Sequence, residues 1–201
     1  DLFDGIYTRD SYRIVYDALK KMGVPVFISP GNHDFISPES PYEKELWPEN
    51  VHIFNSSQFE YVEFESLHTR VYGAAFLNHH CNYSMMDGFC CLPYDGTNIV
   101  LIHGAYKVSD SEYNPITVDN IKNCNADYVA LGHVHMRTDV ELHNETGTYM
   151  SYCGTPEGHG FDEYGVKGVY IGDVEKNSVD LEFIPTCSRK FVRVNVVASP
   201  E

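Results

Sequence analysis

The chain has 201 residues, of which 43% are hydrophobic and 21% charged, so a mainly disordered, collagen-like or low-complexity protein is excluded. Fourteen Lys and Arg against 29 Asp and Glu leave a net charge of −15, a poor composition for gripping a bare phosphate backbone or an anionic membrane surface. No apolar run approaches the roughly 18 residues of a membrane helix.

Asp10 to Met22 carries Ile14, Val15, Ala18, Leu19 and Met22 on one helical face, with Gly23 as its stop. Val24 to Ser29 is a short apolar run, read as a buried strand that Pro30-Gly31 breaks. Pro38 to Leu46 is expected to be a short helix. Val51 to Phe54, Phe59 to Phe64 and Arg70 to Phe76 read as strands, and Asn78 to Asp95 as irregular chain. Asn98 to Ile102 and Asp127 to Leu131 are two further buried strands, separated by a helix over Pro115 to Cys124. Then come five strand-like stretches: Thr138 to Leu142, Thr148 to Cys153, Gly168 to Ile171, Val179 to Ile184 and Phe191 to Val197. Helices alternate with strands first and strands dominate later, which points to a mixed α/β sandwich with helices outside. The six cysteines show no C-x-x-C spacing and are expected to be reduced thiols in a cytoplasmic setting.

The three buried strands each run into a polar cluster. The first ends in Gly31-Asn32-His33-Asp34, the second in His103-Gly104, the third in Gly132-His133-Val134-His135. Ligands collect at the carboxyl ends of strands in α/β sheets, so the three loops can converge. A lone histidine at a strand end is more often a satisfied surface residue than a ligand. In the H-x-H pair, however, both rings lie on one side of an extended segment and can share a metal. Asp1 and Asp4 add carboxylates.

These motifs, in this order, resemble the calcineurin-like metallophosphoesterases, whose pattern runs D-x-H, G-D-x-x-D, G-N-H-D/E, His-Gly and G-H-x-H. Asp1-Leu2-Phe3-Asp4-Gly5 resembles the remainder of the second motif. The resemblance implies a four-layer sandwich of two mixed β-sheets flanked by helices, with 1–201 as a single domain. It also implies that the first strand and its D-x-H turn fall outside this sequence. Within the superfamily, Gly154 to Glu163 followed by Lys167-Gly168-Val169-Tyr170-Ile171 is similar to the last third of SbcD-type DNA repair exonucleases. The DNA-capping region that follows in those enzymes is expected to be absent here.

The resemblance further implies two divalent metal ions, most suitably Mn²⁺, that activate water and clamp the phosphate. Asp1 would touch both ions, Asn32, His103 and His133 would complete one site, and His135 would belong to the other. His33 would act as the catalytic acid, with Asp4 or Asp34 orienting it. His159 is a candidate substrate contact on the rim. His79-His80-Cys81 lacks matching spacing and reads as structural or surface, and Tyr113 and Tyr164 read as packing. Three functions follow. The leading one is a DNA exonuclease working with an SMC-like ATPase subunit of SbcC type, dimeric in the intact protein. The others are a phosphoesterase for small nucleotide esters, which the acidic charge favours, and a metal-binding scaffold without activity.

Overall fold

A computed structural model describes residues 1–143 and 147–196. Helix α1 (Arg9–Met22) opens with a reciprocal cap. The Thr8 hydroxyl accepts from the Ser11 N–H, and the Ser11 hydroxyl accepts from the Thr8 N–H. Gly23 closes it in the left-handed conformation at φ 65°. The predicted helix is present, but its predicted core face is not a core face. None of its residues is buried, and Ile14 is 71% exposed. The helix packs only through a half-buried face, with Tyr12 against Trp47 and the Leu19 carbonyl accepting from Asn50.

Strand β1 (Val26–Ile28) is followed by a single helical turn, α2 (Pro41–Lys44), shorter than the predicted Pro38 to Leu46. Strand β2 (Val51–Ile53) pairs with β1 in parallel. Next come β3 (Glu60–Phe64), β4 (Thr69–Gly73), β5 (Thr97–His103), the short β6 (Ala105–Tyr106) and β7 (Pro115–Ile116), then α3 (Val118–Asn123). Strands β8 (Tyr128–Gly132), β9 (Glu141–Leu142), β10 (Tyr149–Tyr152), β11 (Gly168–Glu175) and β12 (Ser178–Pro185) complete the chain.

Six of these strands form one mixed sheet in the order β3-β4-β5-β8-β10-β9. Its four middle strands are parallel, and β3 and β9 close the edges antiparallel. The fold is thus the expected mixed α/β type. The second large mixed sheet is not formed among the described residues. In its place stand the three-residue parallel pair β1–β2 and the β11–β12 hairpin, neither paired with a strand of the six-stranded sheet.

Three other boundaries differ from expectation. The helix begins at Val118 rather than Pro115, because Thr117 caps it through Asn120 and Pro115-Ile116 is drawn into β7. The strand predicted from Thr138 shrinks to Glu141–Leu142. Residues 191–196 form no strand, their Val192, Val194 and Val196 facing solvent; Val197 lies outside the described residues.

The core lies where the sheet meets the long loop after β4. Tyr72, Phe76, Met86, Val100, Ile102, Ile116, Ile121, Val129, Leu131 and Met150 are buried there together. Phe54, fully buried, joins β1–β2 to the sheet. Its ring occupies the space that a Cβ on Gly73 would need, 2.1 Å away. Main-chain bonds from Phe76 N–H to Pro30 O and from Ile36 N–H to Phe76 O then tie the loop after β1 to the end of β4. This stitching brings the Gly31–Asp34 turn to the carboxyl ends of β5 and β8.

Candidate metal centre

The parallel register of β5 and β8 sets His103 opposite Gly132, so the two histidine-bearing strand ends lie side by side. The His103 and His133 rings are 5.1 Å apart between centroids. Asn32, 2% exposed, sits between them. Its Oδ1 is 2.9 Å from His103 Nε2 and 3.3 Å from His133 Nδ1. Asp1 completes the group, its Oδ2 lying 3.3 Å from His103 Nε2 while its Oδ1 accepts the His33 N–H at 2.9 Å.

The backbone accommodates this cluster at some cost. His133 has φ 106°, a left-handed-side conformation that a non-glycine residue rarely adopts. At Gly31 a Cβ would stand 2.2 Å from Asp1 Oδ1 and 2.6 Å from the His103 ring. Any side chain there would fill the space on which the donors converge.

Burial dominates the electrostatics of the pair. It pushes the His103 pKa down to about 2, with the amino terminus and the neighbouring histidines adding to the effect. His133 is lowered for the same reasons, burial first and then His135 and His33. Both rings are therefore neutral near pH 7, the form in which imidazole donates to a metal.

Among the described residues no three His, Cys, Asp or Glu side chains close a metal cage by themselves. The amide of Asn32 is what joins them. Two neutral imidazoles, a carboxylate and an amide oxygen form a donor set for a divalent cation of intermediate hardness. Their separations of 2.9 to 3.3 Å resemble the edge of an octahedron, roughly 3 Å for bonds of about 2.1 Å. The residues present fit a divalent ion.

His33 stands beside this group, its backbone N–H on Asp1 and its ring held by Asp4. Its Nδ1 is 2.8 Å from Asp4 Oδ1. Of the two candidate orienting carboxylates, Asp4 is the one that meets the His33 ring. The buried Asp34 carboxylate accepts from the N–H groups of Leu2, Phe3 and Gly31 and from the Tyr42 hydroxyl. It clamps the start of the chain to the turn and does not contact His33.

His135, two residues beyond His133, makes no described hydrogen bond to the Asn32 cluster. Its Nδ1 is 2.5 Å from Glu163 Oε1. Glu163 Oε2 accepts the His159 backbone N–H at 3.0 Å, and the buried Lys167 ammonium lies 3.9 Å away. Burial raises the Glu163 pKa, but the His159 N–H, His135 and Lys167 outweigh it, and the net shift is downward. The His159 ring itself is exposed and makes no described contact with the cluster; only its backbone takes part.

The His79-His80 doublet, read as structural or surface, packs beside this site. His79 Nδ1 is 2.9 Å from the Asn32 carbonyl oxygen, and its ring meets that of His33 edge-on at 5.8 Å. His80 stacks on Tyr113, whose ring is 5.2 Å from that of His133. The doublet was visible in the sequence, but an irregular loop has no period from which to place it. Glu163 and Lys167 were visible only as part of the 154–171 resemblance. All six cysteines are free thiols, and none belongs to the cluster.

A relative from Bacillus subtilis (strain 168), described as the uncharacterized metallophosphoesterase YhaO, is 29% identical over 175 residues. The match covers 84% of this chain and 41% of that protein, so the chain spans about two-fifths of its relative's length. The model of the calcineurin-like phosphoesterases matches residues 1–137, the stretch that contains every motif of the cluster, and the chain belongs to that family.

Proposed function

We propose that the chain is the catalytic domain of a Mn²⁺-dependent DNA exonuclease of the SbcD type. Metal-dependent phosphoester hydrolysis follows from the family. The observation that carries the catalytic reading is the placement of His33. It adjoins Asn32 in sequence, but its ring is bound to Asp4 and stays out of the converging donors. An imidazole held beside a metal group without being part of it is suited to proton transfer.

Asp1, Asn32, His103 and His133 would hold one ion, and His135 would serve a second. Bound divalent cations supply Lewis-acid activation of water and neutralise phosphate charge. Asp4 accepts the His33 Nδ1 proton and leaves Nε2 as the nitrogen that passes its proton on. As a water oxygen bonds to phosphorus and the ester P–O bond breaks, that proton goes to the leaving oxygen, and the proton shed by the attacking water passes to solvent, from which the ring is reprotonated.

The DNA substrate rests on the 154–171 segment, which resembles the nuclease group and folds onto His135 through Glu163 and Lys167. On this reading the full-length protein is cytoplasmic, dimeric and paired with an SMC-like ATPase subunit. The charge of −15 favours a second reading, a phosphoesterase for small nucleotide esters.

The test compares full-length wild type with His33→Ala, with Mn²⁺, on linear DNA and on a small phosphodiester. Nucleotide release from DNA that is lost in the variant supports the nuclease. Turnover of the small ester alone transfers support to the second reading. Failure on both leaves a metal-binding scaffold.

A further inference from the structure

The loop from Gly154 to Lys167 is gripped onto residues 135–137 at three points. At Gly154 (φ 74°) a Cβ would stand 2.8 Å from the His135 carbonyl oxygen and 3.0 Å from the Arg137 nitrogen, so only glycine lets the two backbones approach. The Lys167 ammonium donates to the same His135 carbonyl at 2.6 Å. The third point is the His135 ring, which meets Glu163.

The burial of the two partners is unequal. The His135 side chain is 52% exposed, whereas that of Glu163 is largely buried and that of Lys167 almost entirely so. Glu163 is therefore the fixed member. One of its oxygens takes the His159 N–H, the other the His135 ring, and Lys167 stands close to the first. A carboxylate can only accept, so the His135 nitrogen facing it must carry the proton. That places a proton on Nδ1, and in the neutral ring the lone pair is then on Nε2.

We propose that Glu163, backed by Lys167, is a positioning residue that fixes the tautomer and orientation of His135 so that Nε2 is presented to a metal ion. The inference rests on the reading of His135 as a ligand of the second site. A histidine ligand whose other nitrogen bonds a carboxylate is oriented and made a better donor. His103 and His133 need no such support, since burial and Asn32 hold them. His135, half exposed, has no other side-chain bond among the described residues.

The test uses full-length protein labelled with ¹⁵N-histidine. In metal-free wild type, long-range proton–nitrogen correlation should show His135 protonated at Nδ1 and bare at Nε2. In Glu163→Ala the ring should turn to the Nε2-protonated form that free histidine side chains favour in water. Calorimetry with Mn²⁺ should show the weaker site losing affinity by about 10- to 100-fold. Glu163→Gln keeps an acceptor oxygen and loses the charge. It should retain the tautomer and lose affinity only several-fold.

A folded Glu163→Ala variant with unchanged tautomer and Mn²⁺ affinity overturns the inference. If that variant does not fold, unchanged Mn²⁺ affinity in Glu163→Gln overturns it. Absence of any Mn²⁺ binding in wild type fails the metal-centre reading itself, and is thereby distinguished from failure of the Glu163 role.

Discussion

The two halves of the site are built differently. The half around Asn32 is made at the ends of β5 and β8, which are largely buried, and of β1, which was expected to be buried but is only half-buried, with the His103 side chain 4% exposed. The half around His135 lies on loops, with that ring 52% exposed and fastened by Glu163. The first half is held by sheet register, a strained His133 and a glycine that leaves room for the donors. The second depends on a few side-chain bonds. Preorganisation is thus carried by the fold on one side and by a local brace on the other.

Substitutions can break this comparison. The largest expected effect is at the proton-transfer group. His33→Ala should lower kcat by about 10²- to 10⁴-fold while Mn²⁺ affinity stays close to wild type, because His33 is not among the converging donors. Steady-state kinetics beside calorimetry reads both. Gly31→Ala should act the other way. A methyl group placed against Asp1 and His103 should reduce Mn²⁺ affinity by at least about 100-fold and leave the six-stranded sheet intact by circular dichroism.

The two candidate orienting carboxylates should separate cleanly in urea denaturation. Asp34→Ala strands four donors, most of them buried, and should cost about 3 kcal/mol or more of stability. Asp4→Asn, at an exposed position, should leave the unfolding midpoint almost unchanged while slowing turnover.

A pH series sharpens the buried half. The His103 pKa is about 2 when folded against an ordinary 6.5, so below pH 6.5 the unfolded chain takes up a proton that the folded chain refuses. Its contribution to stability is full above about pH 6.5 and is lost as the pH falls. In metal-free protein the loss should approach about 1.4 kcal/mol per pH unit. His103→Asn should flatten that slope.

The smallest effect concerns the thiols. Cys90 is exposed, whereas Cys91 and Cys124 are buried, and burial raises both of their pKa values. Iodoacetamide at pH 8 should modify Cys90 in native protein and leave the other two unmodified by mass spectrometry.

Much of the buried half was legible in the sequence. Short apolar strands that run into polar residues can be found without coordinates, and parallel pairing of β5 and β8 necessarily sets His103 near His133. The sequence could not say which carboxylate holds His33, because Asp4 and Asp34 differ only in which way the chain turns them. It also hid the part played by His79. That residue reaches the Asn32 carbonyl from the irregular loop after β4, where neither a helical nor a strand period fixes direction. The helix over Arg9–Met22 teaches the converse. Its stripe and caps specify the element correctly, yet a stripe does not say what will cover it.

The most direct test of the account is anomalous diffraction from a crystal of the protein soaked in Mn²⁺. The account predicts a peak within roughly 2.0–2.3 Å of Asn32 Oδ1, His103 Nε2 and His133 Nδ1, with an Asp1 oxygen beside it. No peak there, or a peak held instead by His79 and His80, would contradict it.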